Sequence, residues 1–146
     1  MVKIKIKIHY YTVVGQILKI IGNTKELGIW KDGVEMVYKE NGFWSTELEI
    51  NKFPFEYKFQ IYNNNTGEVV WENCYNRICY FCDEVDEIKI KCTWNSAEET
   101  FYKFIKNKIP LQDGDKLFSL LDMIKQKSVE GKKMICVVKK CINSGK

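Results

Sequence analysis

The sequence predicts a mainly β protein: an antiparallel, immunoglobulin-like β-sandwich of about seven strands, followed by a C-terminal helix–helix–strand extension. Residues 1–95 contain short runs of β-branched and aromatic residues between turn signals, at a spacing typical of a sandwich. After residue 95 the apolar residues recur at helical spacing. We therefore expect a sandwich domain over residues 1–95. Residues 96–146 form the extension, which could pack on the sandwich or stand as a separate unit.

The strands are predicted from two kinds of pattern. Residues 2–8 alternate aliphatic residues with Lys3, Lys5 and Lys7, the period of a half-buried strand with a lysine face. Residues 16–21 form a more continuous apolar run, as in a buried strand, and residues 25–28 form a turn or a single helical turn. Five further strands are predicted at residues 34–38, 43–50, 55–62, 69–72 and 87–94.

The extension is predicted from helix signals. Ser96 and Glu99 stand at capping-box spacing, and Pro110 would end the helix that follows. Four apolar residues recur between them at i, i+4 spacing: Ala97, Phe101, Ile105 and Ile109. A second amphipathic helix is predicted over residues 117–124 and a strand over residues 134–142.

Charge and length restrict the class of protein. No apolar run in the 146 residues approaches the roughly 20 that cross a bilayer, and the N-terminus does not resemble a signal peptide. The net charge of +4 comes from the extension, because residues 1–95 hold 12 Lys+Arg against 13 Asp+Glu. Arg77 is the only arginine. We therefore expect a soluble, cytoplasmic protein with neither a nucleic acid nor a membrane as partner, and its oligomeric state stays open.

The six cysteines are expected to be reduced thiols, as in a cytosolic protein. Cys79 and Cys82 form a CxxC pair, which leaves redox sensing open as an alternative. A zinc site would need a second close pair, and Cys136 and Cys141 are far downstream, with His9 the only histidine. We expect no metal and no cofactor.

Four tryptophans are candidate functional residues. Trp94 is in phase with the inward residues of the last predicted strand, so we expect it in the core. Trp30, Trp44 and Trp71 lie beside turns, where large aromatic side chains often form binding platforms. The alternative is that these three rings fold back and close the ends of the sandwich.

Four short motifs, in order, resemble those of starch-binding domains, carbohydrate-binding module family 20. They are IIGN followed by ELGIW at residues 20–30, Trp44 at the start of a strand, EYKF at residues 56–59, and WE with NR over residues 71–77. The resemblance covers residues 2–94. It implies an antiparallel β-sandwich, in agreement with the predicted strands.

The resemblance implies two sites for α-1,4-glucans such as starch, glycogen and maltooligosaccharides. At the first, Trp30 and Trp71 would stack on neighbouring glucose rings. Lys58, Glu72 and Asn76 would bind the sugar hydroxyls. At the second site, Trp44 and Tyr38 match family aromatics, but Val14 stands where a third aromatic falls. That second site is therefore expected to be weakened or absent, or its two rings to pack on the sheet.

Catalysis is not expected from this chain. A single histidine excludes the usual nucleophilic triads, and no carboxylate pair lies in a glycosidase context. The function predicted is a non-catalytic module that binds α-glucans. Two alternatives remain: a sandwich scaffold that binds another protein, and the targeting domain of a larger glucan-active enzyme.

Overall fold

The computed structural model describes residues 1–80 and 85–110, which form strands and one short 3-10 helix, Lys25–Leu27. No helix in these two ranges is long and apolar enough to span a bilayer. The strands are β1 (Val2–His9), β2 (Gln16–Gly22), β3 (Val34–Glu35), β4 (Val37–Tyr38), β5 (Phe43–Ile50), β6 (Phe55–Asn63), β7 (Val69–Trp71), β8 (Arg77–Cys79), β9 (Glu87–Thr93), β10 (Ser96–Lys106) and β11 (Ile109–Pro110).

The strands form two sheets that enclose the core. The large sheet has six strands in the order β11-β10-β9-β1-β5-β4. The small sheet has five, in the order β3-β2-β6-β7, with β8 also paired to β6. Inward residues of both sheets belong to a single hydrophobic cluster. The mainly β, two-sheet prediction is confirmed.

Alternation of apolar and charged residues determines the faces of β1. Its four aliphatic side chains are buried and its lysines face outward, as the sequence pattern predicts. The strand pairs antiparallel with β5 but parallel with β9. The prediction of an antiparallel sandwich is therefore wrong at this one pair.

Aromatic side chains from β6 fill the space between the sheets. Phe55, Tyr57 and Phe59 are completely buried, while the residues between them face outward. The hydroxyl groups of Tyr57 and Tyr102 lie 2.9 Å apart, and that of Tyr102 donates to the Ile78 carbonyl at 2.9 Å. This chain of hydrogen bonds links the sheets inside an otherwise apolar core, so neither hydroxyl is left unsatisfied.

The first predicted helix of the extension is wrong, because residues 96–106 form β10, the longest strand. Thr100, Tyr102 and Phe104 are buried and alternate with exposed residues, which is the period of a strand. A spacing of four residues is shared by a helix turn and by one face of a strand, so the i, i+4 pattern did not separate them. The sandwich therefore continues past residue 95. The second predicted helix and the last predicted strand lie outside the described residues.

One predicted strand is divided between the two sheets. Residues 34–38 form β3 in the small sheet and β4 in the large one. Met36 lies between them with its side chain buried, and its N–H donates to the Leu18 carbonyl at 2.9 Å. The chain crosses from one sheet to the other at this residue.

Candidate functional site

The outward face of the small sheet brings several of the predicted site residues together. Lys58 and Gln60 alternate along β6 with the buried aromatic residues, so they face away from the core. Trp71 is directly opposite Gln60 in the β6–β7 register. Since residues directly opposite one another share a face, Trp71 and Lys58 lie on one surface. We call this the outer face of the small sheet.

The loop that carries Trp30 folds back over the end of β2. The Trp30 N–H donates to the Gly22 carbonyl at 2.8 Å. A Cβ at Gly33 would lie 3.1 Å from the Ile20 carbonyl oxygen and 3.3 Å from the Ile21 Cβ. Ile21 is opposite Lys58 on the outer face, yet it is buried. The loop therefore covers Ile21 and holds Trp30 beside the strand pair that presents Lys58.

Three consecutive left-handed residues give this loop its shape. Gly28 caps the short 3-10 helix at φ 80°, and Ile29 and Trp30 follow at φ 51° and 58°. A positive φ is unusual for a β-branched residue and costs roughly 1–2 kcal/mol. Thr24 stabilises the loop at the N-terminus of the same 3-10 helix, where its hydroxyl oxygen accepts from the Leu27 N–H at 3.2 Å. No pattern in the sequence predicts this strain.

Burial separates the tryptophans into two groups. Trp30 is 36% exposed and Trp71 is 43% exposed, while Trp44 is only 6% exposed. Trp94 is partly buried against the core, with its ring centroid 5.2 Å from that of Tyr10. Trp30 and Trp71 thus have the accessibility that stacking requires. Trp44 does not, and we correct its predicted role as an open stacking platform.

Glu72 is buried, whereas the resemblance implied that its carboxylate faces a sugar. Its side chain is fully buried and forms an ion pair with the equally buried Arg77, with 2.6 Å between Oε2 and Nη2. The Phe59 N–H donates to Oε1 at 3.0 Å, and the Asn95 N–H donates to Oε2 at 3.0 Å. Both carboxylate oxygens are engaged inside the protein. The expectation that Glu72 binds sugar hydroxyls is therefore corrected: its carboxylate is structural.

The guanidinium of Arg77 joins the two sheets beneath the loop that follows Trp71. It donates to the Thr100 hydroxyl at 2.5 Å and to the Thr93 carbonyl at 2.6 Å, both in the large sheet. Burial by itself would lower the pKa of Arg77, but Cys92 and Glu72 more than offset it, so the net pKa lies above its ordinary value. The guanidinium therefore stays charged and fixes the base of the loop.

Asn76 lies at the edge of the same outer face. Its Nδ2 donates to Oε1 of Glu56 at 3.1 Å, and both residues are half-buried. Glu56 is two residues before Lys58 on β6, so the alternation of that strand places the two on the same side. Glu56 was not among the predicted site residues, although the period of the strand places it on the same face as Lys58.

The half-buried thiol of Cys74 lies in the loop between β7 and β8. Burial raises its pKa, and the Glu72 carboxylate raises it further, against the opposing effects of Arg77 and Lys58. The thiol is therefore protonated at neutral pH and a poor nucleophile. Cys74 is a free thiol among the described residues, and Cys79 and Cys92 are buried in the core. The described residues hold no cluster of three metal ligands. Cys82, Cys136 and Cys141 lie outside them.

The predicted second site contains one exposed ring. Tyr38 is 49% exposed and pairs with Trp44 across β4 and β5, at 5.4 Å between ring centroids. Its hydroxyl accepts from the Gly42 N–H at 3.1 Å. Val14, which stands at the position of the third family aromatic, is 91% exposed. Of the two predicted residues only Tyr38 has an exposed ring, since Trp44 packs inward. The 72% exposed Tyr11 also lies beside Gly42.

The domain is similar to known proteins in sequence and in fold. The model of the starch-binding domain family matches residues 1–91. Human starch-binding domain-containing protein 1 is 30% identical over 95 residues, which are 64% of this chain and 25% of that protein. The chain thus spans about a quarter of this relative.

Solved structures show the same fold. A glycoside hydrolase family 15 glucoamylase from Hypocrea jecorina matches with a TM-score of 0.54 and 26% identity, over 65% of this chain and 17% of that one. The family 20 carbohydrate-binding module of a maltotetraose-forming amylase from Pseudomonas saccharophila matches with a TM-score of 0.52 and 17% identity, over 64% of this chain and 100% of that one. The second match concerns the fold alone.

Proposed function

The chain belongs to the starch-binding domain family, and on that premise we propose that it binds starch- or glycogen-type α-glucans, without catalysis, by stacking glucose rings on Trp30 and Trp71. The observation that supports the proposal is the exposure of these two side chains, 36% and 43%, with Trp71 on the outer face of the small sheet and Trp30 in the loop that covers Ile21 there. Of the other two tryptophans, Trp44 is buried and Trp94 is partly buried against the core, so exposure is selective.

Stacking fits the chemistry of the ligand. A glucopyranose ring has an apolar C–H face that can lie on an indole and remove apolar area from water. Its hydroxyl rim needs hydrogen-bond partners. Lys58 is half-exposed beside Trp71 and donates, while the Asn76 amide, held by Glu56, donates and accepts. These residues form the sugar site of the proposal: Trp30, Trp71, Lys58 and Asn76.

Glu72 enters the proposal as a support. The buried Glu72–Arg77 pair anchors both ends of the segment between Trp71 and Arg77. Asn76 lies inside that segment, so the pair fixes where its amide meets the sugar. We assign the WE and NR motif two functions: Trp71 and Asn76 contact the ligand, and Glu72 and Arg77 hold them in place.

The strength expected is that of a weak module. Stacking on an aromatic side chain is worth about 1–3 kcal/mol for a nucleic-acid base, and a sugar face is taken as no better. Two such stacks with partly exposed hydrogen bonds, less the cost of association, give an affinity in the range of roughly 1–200 micromolar. A module of this strength acts through avidity on a polymer with many sites.

The test is calorimetric titration of the whole chain with β-cyclodextrin. Trp30→Ala and Trp71→Ala should each weaken binding about 5- to 100-fold. Phe101→Ala is the matched control, because Phe101 is a similarly exposed aromatic, 38%, on the large sheet. Unchanged affinity in the double variant Trp30→Ala/Trp71→Ala would refute the proposed site. A folded wild type that binds no α-glucan would favour the scaffold alternative.

Tyr38 tests the second site separately. Because Trp44 is buried, we propose that any contact there rests on one ring and adds little to affinity. Tyr38→Ala should therefore leave β-cyclodextrin binding within about twofold, less than the loss of one full stack. A loss as large as that of Trp71→Ala would show that the second site operates.

A further inference from the structure

The outward face of the large sheet is densely basic. β1, β9 and β10 are neighbours, and each presents lysines on the side away from the core. The lysines that form this basic face are Lys5, Lys7, Lys89, Lys91 and Lys103. The sugar site lies on the other sheet, so the two surfaces are on opposite sides of the sandwich.

The strand register sets these like charges directly against one another. Lys5 is opposite Lys89 and Lys7 is opposite Lys91 across the β1–β9 pair. Lys89 is also opposite Lys103 across β9 and β10. Like charges in directly opposed positions destabilise a sheet. Across β1 and β5 the register places Glu47 opposite Lys5, which offsets part of this repulsion, and an anionic ligand would offset the remainder.

Acidic residues in the described part of the chain do not neutralise this face. Lys5 pairs with Glu87 at 3.5 Å, and no ion pair is formed there by Lys89, Lys91 or Lys103. Residues 111–146 hold eight lysines against four acidic residues, so they carry the same sign of charge. Among the described residues, Lys89, Lys91 and Lys103 thus have no ion-pair partner, and an anionic ligand would supply one.

The face is concave and of ligand size. The five lysines line a cavity of about 460 Å³ together with one acid, Glu47, and the hydroxyl of Ser45. Small-molecule sites typically have volumes of about 300–1,000 Å³. Phe101 lies at the edge, opposite Lys91, and is 38% exposed. The cavity thus combines several flexible ammonium groups, a hydroxyl donor, one carboxylate and one apolar ring.

We propose that this basic cavity binds the headgroup of a phospholipid that carries clustered phosphates, so that the domain docks peripherally on an anionic membrane with its sugar site facing away. Lysine ammonium groups suit phosphate as point charges. A compact group with several phosphates satisfies closely spaced lysines better than phosphates spread along a chain. Phe101 at the rim identifies a lipid source, because an apolar ring beside such a cavity can insert into the bilayer interface. This reverses the sequence-based expectation of no membrane partner.

The experiment is sedimentation of the whole chain with vesicles of phosphatidylcholine that contain 5% phosphatidylinositol 4,5-bisphosphate. Lys89→Glu/Lys91→Glu should reduce the bound fraction at least tenfold. These changes place opposite charges across from Lys5 and Lys7, so the variant is expected to fold. Retained β-cyclodextrin binding verifies that fold. The control Lys25→Glu/Lys52→Glu alters the net charge equally at exposed positions elsewhere and should bind as the wild type.

Three outcomes would overturn the proposal. Equal binding to phosphatidylserine vesicles of matched charge would show general attraction to an anionic surface instead of a headgroup site. Binding of free inositol trisphosphate without vesicle binding would indicate a soluble ligand. Binding of single-stranded oligo(dT) with no binding to either lipid would indicate a nucleic-acid surface.

Discussion

Glu72 and Arg77 form a fully buried ion pair, with 2.6 Å between the carboxylate Oε2 and the guanidinium Nη2. The same carboxylate accepts from β6 and from the turn before β10, and the same guanidinium reaches Thr100. These contacts connect both sheets to the loop that carries Asn76. Removing one partner of such a pair lowers the free energy of unfolding strongly, because the other partner is left as a buried charge without compensation.

Arg77→Met should destabilise the protein by about 3–5 kcal/mol, since it leaves the Glu72 carboxylate buried without its cation. Urea unfolding followed by tryptophan fluorescence measures the loss. The double variant Glu72→Gln/Arg77→Met removes the stranded charge and should be more stable than Arg77→Met alone. A single variant that loses under about 1 kcal/mol would contradict the structural assignment of this pair.

Asn76→Ala should weaken β-cyclodextrin binding about 2- to 10-fold, the usual worth of a hydrogen bond to a partly exposed group. Glu56→Gln is the matched control. Its side-chain oxygen can still accept from Asn76 Nδ2, so affinity should stay within about twofold. Wild-type affinity in Asn76→Ala would place this amide outside the sugar contact, whatever the result for the tryptophans.

Ile29→Asn should raise the free energy of unfolding by about 0.5–1 kcal/mol. Ile29 is 55% exposed and left-handed at φ 51°, so the change gives up little burial and admits a residue that tolerates this conformation. Ile109→Asn is the control, an exposed isoleucine, 67%, that is not left-handed. An equal change in both variants would show that backbone strain at residue 29 is not the cause.

Most strands of the sandwich could be predicted because apolar and polar residues alternate along the sequence with the period of a strand. The strand predicted at residues 43–50 coincides with β5, and the run at residues 2–8 with β1. The predictions that failed concern features that depend on how strands pair in the folded protein. β8 has three residues and no periodicity to detect, and residues 34–38 divide between sheets only because the chain crosses at Met36.

The expectations for exposure and burial of the candidate site residues were met in part, and those that failed have one physical origin. Trp30 and Trp71 are exposed, but Trp44 and Glu72 are buried. A motif conveys which residue types occur at which spacing. It does not convey whether a carboxylate points out to a ligand or in to a guanidinium. Arg77 is the only arginine of the chain, and its need for a buried partner was the available signal that Glu72 faces inward.

Phe104→Ala and Phe101→Ala together decide between strand and helix at residues 96–106. In the strand, Phe104 is fully buried and Phe101 faces outward, so Phe104→Ala should cost about 3–5 kcal/mol and Phe101→Ala under about 1. In the amphipathic helix that the i, i+4 spacing predicts, Phe101 belongs to the apolar face and its loss would be the larger. Urea unfolding of both variants gives the order directly. A greater loss for Phe101→Ala would return this segment to the helix, and it would also remove β10 and Lys103 from beside the lysines of β9.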